Sequence, residues 1–494
     1  MSAQKFKTFY LNLTVFMTGA SILVLEILGT RIINPFYGAT IFVWTSLITI
    51  TMGALAVGYF VGGKIIDKNP KISLLSKTMF LAGVFFLIPM KIDQLVLPAT
   101  DKFGLKYGPL VASFLLFFIP LMLLGMISPM AIRLITKKIK LSGSYAGQIF
   151  ALSTVGSIVG GLLAGFYLIN KLTITQSLSG AALGLVIMAM IGSFFLKQKR
   201  FTQILLMLII ALIVLSLPKY RYKENSSLSV LHHEQGFYGD LKVIETPSFR
   251  CVNLDGNSES CVRLQGEQVS PLFHDLAHVI NEHKPKNVLI LGSGGGNLIM
   301  GGIDKNIKID LVDIDPSLVA LSKEYLDFKI GKNQAMFFDD ARHFLQTNEK
   351  KYDLIFTDLA KGRNTPYYMY SQEAMQLLRS HLTDRGLVLM HVLGGIGSED
   401  SSTASIIKTA ESIFPKVITT VDDEDFNTMY IIHLSSNGYD FKPVLDFKLA
   451  EINKDLGVIL TDERNPLDYF FVDKYEEFNR IVRSRGSLKP IFVL

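Results

Sequence analysis

The sequence predicts a multi-pass α-helical membrane domain of about seven helices, followed by a small β region and a doubly wound α/β domain with a nucleotide-binding turn. Hydrophobic residues make up 49% of the 494-residue chain and charged residues only 19%, and the apolar excess lies almost entirely before residue 219. Beyond it, short apolar runs alternate with amphipathic stretches, a pattern typical of a βα series. We therefore divide the chain into a membrane domain (1–218), a β region (219–268), an α/β domain (269–440) and a C-terminal extension (441–494).

Apolar stretches long enough to cross a bilayer, which takes about 20 residues per helix, fill the membrane domain. They are residues 9–30, 41–63, 72–90, 107–132, 141–170, 172–196 and 201–218. The third contains Lys77 and the last is short. We expect no cleavable signal peptide, because the first stretch continues into Glu26 and Arg31 without a small-residue cleavage site. The sequence therefore predicts an integral protein of the cell membrane, in contact with the lipid bilayer.

Glycines at four-residue spacing indicate where these helices pack closely. The pairs are Gly58 with Gly62, Gly156 with Gly160, and Gly161 with Gly165. We interpret them as packing sites within one subunit, and a homodimer seam is the alternative.

Glu26 is the acidic residue of the first apolar stretch. A carboxylate within a membrane helix is costly unless it is paired or hydrated, so Glu26 is a candidate functional residue. A structural pairing with Arg31 or Arg133 explains it equally well. Glu26 and Arg31 are therefore the membrane-site candidates.

The distribution of Lys and Arg predicts the orientation of the membrane domain. With the N terminus in the cytosol, the cytosolic loops hold most of these residues, as the positive-inside rule requires. Seven crossings would then place the C-terminal half outside. We nevertheless favour the cytosol for that half, because nucleotide ligands are made there, and the sequence leaves this conflict open.

The β region contains a predicted hairpin that brings the two cysteines together. Residues 241–245, 249–254 and 260–264 alternate like strands, and Asp255-Gly256 forms a turn. Cys251 and Cys261 flank this turn symmetrically, so they face each other as buried thiols in a reducing cytosol or as a disulfide in an oxidising compartment.

Composition excludes two classes of partner. The net charge is +6, but the basic residues lie mostly in short loops between apolar runs, so we expect no nucleic-acid partner. Two cysteines exclude a cysteine-only zinc site. His232-His233-Glu234 could suggest a metal, yet three adjacent side chains on a linker are better read as solvated. We expect no metal.

After a helix at about residues 270–281, the α/β domain shows a series of strands separated by amphipathic stretches. The predicted strands are residues 288–291, 309–312, 335–338, 354–357, 387–391, 416–420 and 429–433. Ligands bind at the carboxyl ends of the strands in such a sheet. Four successive strand ends carry glycine or acid: Gly292, Gly294, Gly295 and Gly296, then Asp313, Asp339 with Asp340, and Asp358.

Each of these residue types suits a part of a nucleotide. Glycines let the backbone approach the ligand, and an acid at the tip of the next strand binds ribose hydroxyls. Asp313 suits the ribose diol, Asp340 suits an adenine amino group, and Asp358 faces the reacting group. Helix caps explain any one of these acids, but not all of them together.

The same residues carry a resemblance to a known family. Residues 230–436 resemble the spermidine synthase (polyamine aminopropyltransferase) family. The matching motifs are LDG at 254–256, FHD at 273–275, the glycine loop, VDID at 312–315, DDARHFL at 339–345 and YDLIFTD at 352–358. The membrane domain resembles the multi-spanning domain fused to bacterial spermidine-synthase-like proteins. LTDERNPLDYF, at 460–470, is similar to a tail motif of those proteins.

The resemblance implies a Rossmann-like fold of the S-adenosylmethionine-binding type, with S-adenosylmethionine or its decarboxylated form as substrate and no permanently bound cofactor. It implies that Asp313 binds ribose and Asp340 binds adenine. It also implies that Asp358 deprotonates an attacking amine. Tyr238 stands at the tyrosine of a family Tyr-Gln pair and is the second candidate catalytic residue.

Four positions that would bind the amine in the family depart from its pattern. Gly295 replaces the Asp that recognises the aminopropyl ammonium, which we expect to open space. Lys361 replaces a carboxylate that holds the polyamine, and Arg363 adds a second cation. Glu259 and Gly239 stand where the family has Gln. Lys361 and Arg363 are therefore candidates for binding the carboxylate of S-adenosylmethionine.

Three hypotheses follow for the function. The first is an enzyme that breaks the sulfonium–Cγ bond and releases 5'-methylthioadenosine, by intramolecular attack or by aminopropyl transfer to an amine. The second is a methyltransferase on the same sulfonium. The third is an adenosyl sensor that gates a membrane transporter.

Overall fold

The computed structural model describes residues 3–136, 142–195, 228–265, 271–359, 366–393, 400–421, 429–438, 448–450 and 452–471. The chain divides into two compact units, Met1–Lys223 and Glu224–Leu494.

The described residues of the N-terminal unit form helices joined by short connections. Its helices are α1 (Ala3–Tyr37), α2 (Ile41–Lys68), α3 (Ile72–Phe86), α4 (Pro89–Thr100), α5 (Gly104–Ile135), α6 (Ser142–Leu162) and α7 (Ile174–Phe195). A π-helical turn, Leu163–Leu168, prolongs α6. A helix satisfies all the backbone hydrogen bonds of a long apolar run within the run itself, as a lipid environment would require.

Five helical spans in the described residues are long and apolar enough to cross a membrane. They correspond to the first, second, fourth, fifth and sixth predicted stretches, although the fifth and sixth stretches were predicted one to two residues too long at each end. The third stretch forms the shorter helix Ile72–Phe86, and an unpredicted α4 follows it after Leu87. The seventh stretch, 201–218, lies outside the described residues.

The glycine pairs show how two helix pairs pack within the unit. A Cβ at Gly156 would lie 2.1 Å from the Phe16 carbonyl oxygen, and one at Gly160 would lie 2.3 Å from that of Ala20. A Cβ at Gly58 would lie 2.3 Å from the Met122 carbonyl oxygen. The α1–α6 and α2–α5 contacts therefore require glycine, as the interpretation of packing within one subunit predicts. At Gly165 a Cβ would meet nothing within 4 Å.

Glu26 lies half-buried on α1. Arg133, one of its two predicted partners, instead donates through Nε to Asp67 Oδ1 at 3.1 Å. The predicted pairing of Glu26 with Arg133 is therefore wrong. A functional role for Glu26 and Arg31 stays a prediction.

The C-terminal unit begins with a four-stranded antiparallel sheet in the order β1-β2-β3-β4. The strands are β1 (Ser229–Gln235), β2 (Asp240–Glu245), β3 (Phe249–Leu254) and β4 (Asn257–Arg263). The last three match the predicted hairpins. The linker assigned to His232-His233-Glu234 is wrong, because these residues pair with β2. The least exposed positions of β1 are His232, Glu234 and Gln235, which are all polar, so no apolar alternation marked the strand.

Cys251 and Cys261 are cross-strand partners on β3 and β4, and their sulfur atoms are bonded. This confirms that they face each other. A disulfide is the state expected in an oxidising compartment, and this disagrees with the cytosolic location favoured above.

The larger sheet has eight strands in the order β12-β10-β11-β9-β8-β5-β6-β7. They are β5 (Asn287–Leu291), β6 (Lys308–Asp313), β7 (Gln334–Phe338), β8 (Tyr352–Thr357), β9 (Leu382–Leu393), β10 (Lys416–Val421), β11 (Met429–Ser435) and β12 (Lys448–Leu449). β5 to β9 are parallel, and β11 runs antiparallel to β9 and β10. All seven predicted strands are present. The carboxyl ends of β7, β6, β5 and β8 lie side by side, which aligns the predicted glycine and acid positions.

Helices connect these strands: α8 (Pro271–His283), α9 (Asn297–Met300), α10 (Pro316–Tyr325), α11 (Ala341–Thr347), α12 (Gln372–Ser380) and α13 (Ser401–Glu411). A buried core joins α8 to the central strands through residues such as Ile280, Ile290 and Phe356. A second core joins the small sheet to α10 through Val252, Leu254 and Leu318. This packing brings β4 over the glycine turn.

Candidate active site

The glycine turn after β5 lies directly against the residue that follows β8. Gly292 has a φ of +80°, and a Cβ there would lie 2.0 Å from the carbonyl oxygen of Asp358. The Asp358 amide in turn donates to the carbonyl oxygen of Leu291 at 2.9 Å. Only glycine fits this close approach of two backbones. The turn therefore sets the position of Asp358.

Asp313, at the end of β6, is held by two backbone amides. Its Oδ2 accepts from the Gly294 amide at 2.7 Å, and its Oδ1 accepts from the Asp315 amide at 2.9 Å. These bonds stabilise the charged carboxylate and fix its plane. A carboxylate offers about four acceptor sites, so it can accept from more than one donor at a time.

Gly295 is covered by the small sheet and by α10. Its amide donates to Ser260 Oγ at 2.7 Å. A Cβ at this position would lie 2.3 Å from Ser322 Oγ and 2.5 Å from Ser260 Cβ. The expectation that Gly295 opens space is therefore wrong, because these two serines fill the volume that a larger residue would need.

Asp340 follows β7 and caps helix α11. Its Oδ1 accepts from the amides of Arg342 and His343, at 2.9 and 3.1 Å. Its Oδ2 accepts from the hydroxyl of Tyr368 at 2.7 Å. Asp340 is thus a helix cap, and its second oxygen points to Tyr368 rather than into the helix. The neighbouring Asp339 pairs with His343 at 2.8 Å.

Tyr238 lies beside this acidic rim. Burial raises the pKa of its phenol, and the charges of Asp315, Asp340, Asp313 and Asp339 raise the pKa further. The phenol therefore stays protonated at neutral pH and can donate a hydrogen bond. These charges put Tyr238 on the Asp313 and Asp340 side of the rim, and its catalytic role stays a prediction.

Asp358 has a partner that sequence reasoning missed. Nδ1 of His391, on β9, lies 2.9 Å from Asp358 Oδ1. The His391 side chain is only 8% exposed and that of Asp358 is 24% exposed. His391 ends the predicted strand 387–391, next to the strand that carries Asp358, and this register was the available signal.

Comparison with known proteins finds relatives of this chain. Residues 273–424 match the model of the family described as "Spermine/spermidine synthase domain". Polyamine aminopropyltransferase 2 of Aquifex aeolicus is 25% identical over 424 residues, covering 81% of this chain and 82% of that protein. The polyamine aminopropyltransferase of Vibrio vulnificus is 23% identical over 190 residues, or 36% of this chain and 64% of that protein.

The C-terminal unit contains a spermidine synthase domain. Among solved structures, the spermidine synthase of Thermotoga maritima aligns at 16% identity with a TM-score of 0.37, covering 52% of this chain and 87% of that one. The helical N-terminal unit precedes the synthase domain, as the resemblance to fused proteins implies.

The tail motif at 460–470 contacts the synthase domain through two further residues that sequence reasoning missed. Arg342 donates to Asp462 through Nη1 to Oδ1 at 2.8 Å and through Nη2 to Oδ2 at 2.5 Å. These residues are 120 positions apart, so no local pattern could pair them.

The substrate-carboxylate candidates Lys361 and Arg363 lie outside the described residues, as does Ala360. Within the described ranges, no group of three His, Cys, Asp or Glu side chains could hold a metal ion.

Proposed function

We propose that the synthase domain binds an adenosyl sulfonium, either S-adenosylmethionine or its decarboxylated form, and breaks the sulfonium–Cγ bond with 5'-methylthioadenosine as the leaving group. The observation that carries this proposal is the rim formed at four adjacent strand ends. In the order of the sheet it holds Asp340 after β7, Asp313 at the end of β6, the glycine turn after β5, and Asp358 after β8.

The adenosyl half of the substrate uses the first three of these positions. The ribose diol donates to Asp313, whose carboxylate is already oriented by the Gly294 and Asp315 amides. The adenine amino group donates to Asp340. Tyr238 contributes a protonated phenol next to both acids. Groups that are fixed before binding lose little entropy when the ligand arrives.

The reacting half uses Asp358. An amine nucleophile gives its proton to the Asp358 carboxylate and attacks Cγ, whereas the substrate's own carboxylate carries no proton and attacks directly. In both cases the carbon–sulfur bond breaks, and its electron pair stays on sulfur as a neutral thioether. The sulfonium is a good leaving group, so the domain mainly needs to place the nucleophile in line and accept one proton. His391 holds the carboxylate in one orientation through Nδ1.

Position 295 bears on the choice of sulfonium. Glycine at position 295 supplies no carboxylate that would attract the bare ammonium of decarboxylated S-adenosylmethionine or repel the carboxylate of S-adenosylmethionine. Lys361 and Arg363 follow Asp358 closely in the chain and add positive charge. Charges about 4 Å apart interact by about 1 to 4 kcal/mol at such a site. We therefore propose that S-adenosylmethionine binds at least as well as its decarboxylated form, with its own amine or carboxylate as a possible nucleophile.

The test incubates the full-length, detergent-solubilised protein with each sulfonium, with and without putrescine. Methylthioadenosine from S-adenosylmethionine alone supports intramolecular cleavage. Methylthioadenosine that forms only from the decarboxylated compound plus an amine identifies an ordinary aminopropyltransferase and refutes the substrate preference. Failure to form it from either compound refutes the proposed reaction.

A methyltransferase is the second candidate. The N-terminal histidine N-methyltransferase of Emericella nidulans is 29% identical over 163 residues, or 31% of this chain and 28% of that protein. The same incubation distinguishes it, because methyl transfer yields adenosylhomocysteine. A protein that binds the sulfonium but forms neither product fits an adenosyl sensor linked to the helical unit.

A further inference from the structure

The segment 457–471, called here the tail segment, lies beyond the residues that match the synthase family model but is built into the C-terminal unit. The Leu460 amide donates to Thr409 Oγ1 at 2.9 Å, and the Leu460 carbonyl accepts from the Gln372 amide at 2.8 Å. Leu460 and Leu467 are fully buried. The tail segment is therefore held against α12 and α13.

The central contact of the tail segment is the ion pair of Asp462 with Arg342. Two parallel hydrogen bonds join the guanidinium to the carboxylate, and Ser371 Oγ donates to the same carboxylate at 2.7 Å. The hydrogen bond from Arg342 lowers the pKa of Asp462, so the pair is charged throughout the neutral range. The Asp462 amide also donates to Glu373 Oε2 at 3.0 Å. A bidentate pair of this kind, with two parallel hydrogen bonds, fixes the orientation of the guanidinium as well as its distance from the carboxylate.

The other side of Arg342 leads to Asp340 by two routes. Nη1 of Arg342 donates to the Tyr368 carbonyl oxygen at 3.0 Å, and the Tyr368 hydroxyl donates to Asp340 Oδ2 at 2.7 Å. The Arg342 amide donates directly to Asp340 Oδ1 at 2.9 Å. Asp462 therefore pairs with a residue whose amide holds Asp340 Oδ1 and whose guanidinium contacts Tyr368, the residue that holds Asp340 Oδ2.

We propose that Asp462 is a positioning residue of the nucleotide site, and that the tail segment gives the synthase domain its preference for adenine over other purines. This inference rests on the proposed function, in which Asp340 accepts a hydrogen bond from the adenine amino group. Hypoxanthine has a carbonyl oxygen at that position, so two acceptors would face each other. A carboxylate that is free to turn away tolerates the carbonyl, whereas a carboxylate held by Arg342 and Tyr368 does not.

The ratio of the affinities for two nucleosides distinguishes a positioning role of Asp462 from a purely structural one. Forcing a polar group against an unmatched partner weakens binding by roughly 10- to 100-fold. We expect wild type to prefer 5'-methylthioadenosine over 5'-methylthioinosine by that factor. If Asp462 acts on the Asp340 direction, its loss should reduce this ratio. If it only supports the fold, its loss should weaken both ligands equally and leave the ratio unchanged.

The experiment measures the Kd of both nucleosides by calorimetry on the full-length solubilised protein. Asp462→Asn is compared with Glu463→Gln, a matched control at the adjacent exposed position, which has no side-chain partner among the described residues. We expect the preference to fall at least fivefold in Asp462→Asn, because the released Asp340 carboxylate no longer opposes the hypoxanthine carbonyl and holds the adenine amino group less well. The preference should stay unchanged in Glu463→Gln. Arg342→Lys, which keeps the charge but loses the bidentate pair, should resemble Asp462→Asn.

An unchanged preference in both Asp462→Asn and Arg342→Lys would overturn the inference, as would an equal loss of affinity for both ligands. These results leave the proposed function standing, because wild type would still bind methylthioadenosine. Wild type that binds neither nucleoside would refute the proposed adenosyl site itself.

Discussion

Asp358 Oδ1 and His391 Nδ1 lie 2.9 Å apart at the carboxyl ends of β8 and β9. An ionised carboxylate can only accept, so Nδ1 is the donor when Asp358 is ionised. The His391 side chain is only 8% exposed, so the surrounding residues hold the ring in place. Its Nε2 has no hydrogen-bond partner in the described part of the chain. The contact thus orients the carboxylate that we propose as the base.

Asp358→Asn should leave adenosyl binding nearly intact, because Asp358 faces the reacting group. Turnover should fall by about 10²–10⁴-fold, the usual contribution of a general base. Methylthioadenosine release gives the rate, and calorimetry with methylthioadenosine gives the affinity. An unchanged rate would show that Asp358 has only a structural role.

His391→Leu should lower kcat by roughly 10- to 100-fold with little change in KM, because a hydrogen bond to a charged group is lost. His391→Asn is the matched variant, since its amide can donate from a position close to Nδ1. It should recover a large part of the rate. Equal rates in the two variants would show that the hydrogen bond to Asp358 does not matter.

Asp313→Ala should abolish adenosyl binding, because the ribose diol loses its charged acceptor and the Gly294 amide loses its partner. Asp384→Ala, at an exposed position of the same unit, should bind normally. Thermal unfolding of both variants separates a lost ligand contact from a lost fold. Near-normal affinity in a folded Asp313→Ala protein contradicts the assignment.

Gly295→Asp restores the family's residue, but the structure predicts that this change alone fails. The new side chain would overlap Ser260 and Ser322, and overpacking costs about 1–3 kcal/mol of stability. Combining it with Ser260→Gly and Ser322→Ala should relieve the overlap and shift the preference toward decarboxylated S-adenosylmethionine. The relative rates of methylthioadenosine release from the two sulfoniums provide the measurement. An active, stable Gly295→Asp variant would show that Ser260 and Ser322 can shift to make room for the new side chain.

The cysteine pair reports the sidedness of the C-terminal unit. Because Cys251 and Cys261 are bonded and disulfides persist in oxidising compartments, we expect an impermeant thiol reagent to label intact cells only after reduction. A Cys251→Ser/Cys261→Ser protein is the control. Labelling that needs permeabilised cells but no reductant would instead place the unit in the cytosol, as the origin of nucleotides suggested.

The sequence by itself determined the large sheet and the outline of the site. A continuous apolar run such as 288–291 predicts a buried parallel strand, because both faces of the sheet are covered. The carboxyl ends of parallel strands meet at one edge, so Asp313, Asp340 and Asp358 could be placed together without coordinates. Strand β1 escaped prediction because its exposed face and its histidines give no apolar alternation.

Only the tertiary structure decided which side chains complete the site. Ser260 fills the space at Gly295 because the small sheet packs on α10, and His391 reaches Asp358 because β9 lies beside β8. Asp462 meets Arg342 across 120 residues because the tail segment returns to α12. Such contacts depend on how elements pack and where each side chain points. The periodicity of the sequence does not indicate how the elements pack or where each side chain points.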